Sequence, residues 1–142
     1  MKNGFTLIEL IVVIAIIAVL SGVILFSITW YINKGKDSNV SANLAVLIPA
    51  GEVYYNANDS YEGFCGSSVV DNAILQMPVN EASSCYTANP AGICCSVGCG
   101  GNCWAACAIR FLDPNSAYCV DSRGVRKEIS AEYCQGAITE CD

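Results

Sequence analysis

The chain has 142 residues, about one domain's worth, with 13 acids against 7 bases and no histidine, for a formal net charge of −6. The missing imidazole excludes Ser-His-Asp and Cys-His catalysis, histidine metal ligation and CxxCH haem attachment. The acidic balance argues against a specific nucleic-acid partner, because phosphate binding needs a basic footprint.

Residues 5–32 read FTLIELIVVIAIIAVLSGVILFSITWYI, and 24 uncharged residues separate Glu9 from Lys34. As a helix those residues span about 36 Å, enough to cross a hydrocarbon core of about 30 Å. Trp30 and Tyr31 mark the far interface, and Lys34 and Lys36 follow. A cleaved secretory signal fits poorly, since the n-region is too short, the apolar run too long and no A-x-A site follows. A plain anchor leaves Glu9 unexplained, because a charge at the centre of a bilayer costs roughly 2.5–3.5 kcal/mol.

Met1-Lys2-Asn3-Gly4 followed by Phe5-Thr6-Leu7-Ile8-Glu9-Leu10 resembles the signal of type IV prepilins: a short basic leader ending in glycine, then FTLIEL and an apolar helix. The resemblance is tight over residues 1–32 and looser through Tyr54, Tyr55 and Tyr61 to Cys119-Val120-Asp121-Ser122. It implies cleavage by a prepilin peptidase between Gly4 and Phe5 and methylation of the Phe5 amine. It also implies polymerisation in which Glu9 pairs with the Phe5 amine of a neighbouring subunit. A lone carboxylate in a water-poor filament core is expensive, and the pair offsets that expense while fixing one stagger. Many members carry a proline two-thirds along the apolar segment. Here Ser21-Gly22 stands in that region instead, a weaker source of flexibility.

Residues 33–57 continue as an amphipathic helix, with Val40, Leu44, Leu47, Ile48 and Tyr55 as its apolar stripe. Asp37 or Ser38 is placed to cap a restart after Gly35. Pro49 and Gly51 predict a kink or an early stop near Leu47. Residues 58–102 are rich in Gly, Ser, Asn and Cys and show little periodicity. Asn58-Asp59-Ser60 reads as a turn, and Tyr54, Tyr55, Tyr61 and Phe64 read as core aromatics. Residues 103–133 read as a three-stranded antiparallel sheet, with Cys107, Ile109 and Phe111 on one face. Asp113-Pro114-Asn115-Ser116 and Ser122-Arg123-Gly124 are its turns. Residues 134–142 form a tail held by Cys134 and Cys141. The predicted fold is α+β: a long N-terminal apolar helix continuing into a small antiparallel sheet domain with a disulfide-rich loop region. Its predicted divisions are a leader at 1–4, a transmembrane or filament-core helix at 5–32 and an extracellular domain at 33–142.

All ten cysteines, 65, 85, 94, 95, 99, 103, 107, 119, 134 and 141, lie beyond the apolar segment. An even number in an oxidising compartment reads as up to five disulfides, each typically worth ~2–4 kcal/mol. Cys95, Cys99, Cys103 and Cys107 recur every four residues, a spacing that also suits a four-thiolate metal site. Gly98, Gly100 and Gly101 disfavour the regular helix such a site needs, so disulfides are the preferred reading. Adjacent Cys94 and Cys95 should reach in two directions. Asp113, Asn115 and Asp121 are too few fixed oxygen ligands for calcium. No metal, cofactor or catalytic residue is expected.

The resemblance implies a structural subunit of an extracellular type IV pilus. Its partners would be further copies of itself, the prepilin peptidase, the pilus assembly machinery in the inner membrane and, before assembly, the membrane. A minor pilin or a type II secretion pseudopilin is the alternative within the class. A membrane-anchored cysteine-rich binding module that never polymerises is the alternative outside it.

Overall fold

The computed structural model describes residues 5–78, 80, 93–135 and 137–142. The chain divides into two compact units, one ending at Asn33 and one beginning at Lys34. Helix α1 (Leu7–Asn58) contributes to both.

In the first unit the described apolar residues are exposed from Phe5 through Leu25. The run contains Ser21 and Gly22 and stays helical through them. Among the described residues this is the one helix long and apolar enough to cross a membrane.

In the second unit α1 packs on a four-stranded antiparallel sheet of β1 (Ile93–Gly98), β2 (Cys103–Ile109), β3 (Ser116–Asp121) and β4 (Arg126–Ser130), in the order β1-β2-β3-β4. The register sets Cys94 opposite Cys107, Cys107 opposite Cys119 and Cys119 opposite Lys127. The expected stripe is there: Val40, Leu44 and Leu47 are buried, and Ile48 and Tyr55 are partly buried against the same cluster.

The expected kink or stop near Leu47 does not occur, and neither does a restart after Gly35. Pro49 is exposed within a helix that runs on to Asn58. Gly51 is a seat rather than a breaker. A Cβ there would lie 2.7–2.9 Å from the indole of Trp104, itself fully buried. The indole also meets Phe64 (ring centroids 4.8 Å apart) and Tyr61 (6.4 Å), completing the predicted aromatic cluster with a member from the sheet.

Asp37 does not cap a restart. It is buried, its Oδ1 accepts the Phe111 N–H at 2.6 Å, and its Oδ2 lies 3.5 Å from Arg110 Nε. One carboxylate on the helix stripe thus fixes the loop after β2. That loop also corrects the placement of Phe111. β2 ends at Ile109, and Phe111 packs with the helix-side cluster, away from Cys107 and Ile109.

The sheet has four strands rather than three, and both of its faces are buried. Trp104, Ala106, Ala108 and Val120 face the helix, while Ala105, Cys107, Ile109, Ala117 and Cys119 form a second cluster with Ile129, Ala131, Cys134 and Cys141. The extra strand, β1, comes from the stretch read as aperiodic. Cys94 and Cys95 sit in it on opposite faces, as alternation requires. The same stretch holds a 3-10 turn (Phe64–Gly66) and a short helix α2 (Ser68–Leu75), which buries Val70, Ala73 and Ile74.

Disulfides tie these layers. Cys65–Cys95 fastens the 3-10 turn to β1, and Cys99–Cys103 closes the β1–β2 connection. Cys107–Cys134 and Cys119–Cys141 staple the C-terminal tail across the second face. Cys94 is also disulfide-bonded, and Cys85 lies outside the described residues. The four-residue cysteine spacing is therefore divided among three different bridges. Both predicted turns form. Ser116 N–H donates to Asp113 O at 3.1 Å, and Gly124, at φ 78°, donates to Asp121 O at 3.0 Å.

Buried Asp121 anchors the tail. It accepts N–H groups of Arg123, Val125 and Cys141 and is bonded by the Arg123 guanidinium at 2.7 Å. Burial alone would raise its carboxyl pKa, but the guanidinium and the three amides outweigh burial and hold it below the ordinary value.

Two outcomes follow from this packing. Gly35→Ala, with nothing within 4 Å of the new methyl, should raise stability by up to about 1 kcal/mol. Gly51→Ala gains the same helix propensity yet should lower stability by about 1–3 kcal/mol, because the indole cannot move aside. Thermal unfolding followed by near-ultraviolet dichroism distinguishes them. The Asp121 contribution is complete above its unfolded-state value of about 3.9 and is lost as pH falls through the lower folded value. The gap in thermal midpoint between the native chain and Asp121→Asn should therefore narrow on acidification below about pH 4.

Candidate processing and assembly site

The residues assigned to processing and assembly cluster at the start of α1. Gly4 lies outside the described residues. Phe5 is 79% exposed and precedes the first helical turn. Thr6 occupies the N-cap position and Glu9 the third helical position. The Thr6 N–H donates to Glu9 Oε2 at 2.9 Å and the Thr6 hydroxyl donates to the same oxygen at 2.7 Å. The Glu9 N–H in turn donates to Thr6 Oγ1 at 3.4 Å.

This is a reciprocal capping box, which satisfies N–H groups that an uncapped helix leaves without partners. Sequence reasoning assigned Glu9 a role between subunits and missed this one within the chain. The signal was legible, since Thr6-x-x-Glu9 ahead of an apolar run is the pattern of the box. In a nonpolar setting the box matters more than in water, because orphan N–H groups in hydrocarbon have no solvent to turn to. Both bonds that Thr6 donates, from its N–H and its hydroxyl, fall on Oε2. Oε1 accepts none among the described residues.

Beyond this turn the apolar run presents an unbroken surface with no partner inside its own unit. Leu7, Ile8, Val19, Val23 and Leu25 are each more than 60% exposed. Such a surface is stable only in lipid or against other apolar helices.

The family described as "Prokaryotic N-terminal methylation motif" matches residues 1–25. The type IV wide pilus major component PilA4 of Thermus thermophilus is 33% identical over 109 residues, covering 75% of this chain and 82% of that protein. The type IV major pilin protein PilA of Myxococcus xanthus is 34% identical over 63 residues, covering 44% of this chain and 29% of that one. No solved structure matches the chain significantly. With the long apolar helix, the antiparallel sheet and the methylation motif on one chain, the protein belongs to the type IV pilins. It is a structural subunit of a type IV pilus. Its relatives are structural pilins, and the prepilin motif with the apolar helix indicates membrane anchoring followed by a place in a surface filament.

The box separates the effects of two substitutions on the helix start. Glu9→Gln retains the pattern, because glutamine also serves at the third position. Thr6→Val removes the cap and should destabilise the first turn by about 1 kcal/mol. Amide exchange in micelles should show faster exchange at residues 7–10 for Thr6→Val and near-native protection for Glu9→Gln.

Proposed function

We propose that this pilin is the major, homopolymeric subunit of its filament. It is cut after Gly4 by a prepilin peptidase, methylated at the Phe5 amine and held in the inner membrane by residues 5–32 until the assembly machinery extracts it. In the filament the exposed apolar face of α1 is covered by neighbouring helices, and Glu9 pairs with the Phe5 amine of an adjacent copy. The extracellular domain, residues 33–142, then forms the outer surface.

The observation that carries this reading is the state of Glu9. Its carboxylate stands in an otherwise apolar run, at the third helical position. One oxygen is engaged by Thr6, and Oε1 is left for a cation. A charge so placed needs a partner once water is excluded. The Phe5 amine created by cleavage is the cation nearest in sequence, and methylation keeps its charge. The printed names of both relatives, "major component" and "major pilin", support the assignment as principal subunit.

Mass spectrometry of sheared filaments should find N-methylated Phe5 as the mature terminus. An intact Met1 there would sink the processing step. Replacing Gly4 by a bulky residue should leave precursor in the membrane. Glu9→Gln, as the only pilin present, should reach the membrane and be cleaved normally yet give few or no filaments. Stranding one charge of a buried pair costs ~3–5 kcal/mol at every joint. Normal filament counts from that variant would overturn the pairing.

A further inference from the structure

A groove of about 450 Å³ lies in the second unit between residues 34–45 of α1, the β2–β3 connection, β3 and β4. Lys34, Arg110 and Arg126 line it, and Asp37 is its one carboxylate among the described residues. An adjoining hollow shares Ser41, Tyr118 and Arg126 and adds Lys127 and Glu128. Lys36 lies beside it, 4.8 Å from the centre of the Phe111 ring. Five of the seven bases of an acidic chain thus gather in one place, though Arg110, Arg126 and Lys127 lie more than seventy residues along the chain from Lys34 and Lys36.

Arg110 is engaged, by Asp37 and by Glu128 at 2.7 Å. Arg126 and Lys127 are exposed and make no ion pair among the described residues. Ser38, Ser41 and Tyr118 add hydroxyls to the same walls. Burial pushes the Tyr118 phenol pKa up, against the pull of the Arg110 guanidinium, so it remains an O–H donor. An edge strand such as β4 is protected from pairing by charge. That need explains why charges stand there but not why they are mostly cations.

We propose that this groove binds the phosphate of an anionic phospholipid headgroup. The inference rests on reading residues 5–32 as membrane-embedded before assembly. Lys34 follows that segment after a single residue, so by connectivity alone the groove begins where the chain leaves the hydrocarbon. Headgroup phosphate is therefore the anion most certain to be present at its mouth. The domain carries most of the chain's acids and is otherwise repelled by an anionic leaflet. Cations and hydroxyls at the exit point offset that repulsion at the one place where contact is obligatory. Entry into a filament empties the groove, so headgroup binding favours the membrane pool over the polymer.

The test uses the full chain in nanodiscs of phosphatidylcholine and phosphatidylglycerol in equal parts. Native mass spectrometry reads the lipids retained on release. The native chain should keep phosphatidylglycerol in preference to phosphatidylcholine. The double variant Arg126→Gln/Lys127→Gln, altered at two exposed positions, should lose that preference by about tenfold or more. An intact set of disulfides by peptide mapping checks that it is folded. Equal retention of the two lipids by the native chain, or an unchanged preference in the folded variant, overturns the proposal. So does a variant that keeps its lipid but no longer forms filaments, which assigns the groove to a neighbouring copy. Carbonate extraction separates the two readings: a chain released by carbonate defeats membrane anchoring together with this inference, whereas an inserted chain without lipid preference defeats the inference alone.

Discussion

The second unit is organised by the contact between the Trp104 indole and the Cα of Gly51. β2 is buried along its whole length, and its widest side chain has to be accommodated by a helix lying against it. A residue with a Cβ at position 51 would hold the helix away from the sheet. Ala106 and Ala108 on the same strand face have no bulk to fill the gap that would open. Once the indole is seated, Phe64 and Tyr61 close around it, and the loop that carries them is fixed in turn. Tyr61 donates its hydroxyl to Glu52 at 3.0 Å, and its N–H donates to Gly101 O at 2.7 Å. Helix end, loop and the β1–β2 connection are thus held through neighbours of one ring.

The other face of the sheet has a different solution. No second helix covers it among the described residues. A tail whose described residues hold no regular secondary structure beyond its first turn lies there instead, contributing Cys134, Cys141 and partly buried Ile138. So short a segment buries too little apolar surface to order itself, since fixing each residue costs on the order of 1–2 kcal/mol in backbone entropy. Cross-links to β2 and β3 reduce that penalty by restricting the unfolded chain. Polar contacts set the register. The Ser96 hydroxyl donates to Ile138 O, and Asp121 accepts the Cys141 N–H at 3.0 Å. The disulfides therefore substitute for a missing layer, which explains why a domain of this size needs so many.

Much of this was legible in the sequence. The apolar segment, the stripe on α1, both turns and the opposite directions of Cys94 and Cys95 follow from periodicity and turn chemistry, which are local. The misreadings have a common cause. Pro49, Gly51 and Asp37 were judged by intrinsic preference, whereas the structure uses them tertiarily: a proline on the exposed face, a notch for an indole, a carboxylate for a distant loop. β1 was hidden because its residues, Ile93-Cys94-Cys95-Ser96-Val97-Gly98, are buried on two faces and joined to glycines, so no alternation of apolar and polar residues marks them. The sequence-based reading of Cys107, Ile109 and Phe111 assumed one buried face. With two, Ala106 and Ala108 are core as well. At the N-terminus the capping box was present in the letters, but the resemblance drew attention to Glu9 as an intermolecular partner.

The second role proposed for Glu9, pairing with a neighbour's amine, bears on how such a subunit leaves one environment for another. In the isolated chain the carboxylate is not idle, since its Oε2 closes the first turn with Thr6. A cap of this kind is worth about 1 kcal/mol, far less than the penalty for burying an unpaired charge. The box can therefore keep the helix start ordered and the carboxylate oriented without competing seriously with a cation that arrives later. Because both bonds use one oxygen, an incoming amine can approach Oε1 without breaking them. Under the proposed pairing, the ordering entropy of the first turn is met before the subunit meets its neighbour rather than at the joint. A residue that had only the intermolecular role would present a flexible carboxylate on a frayed end. It would lose part of the pairing energy to fixing both.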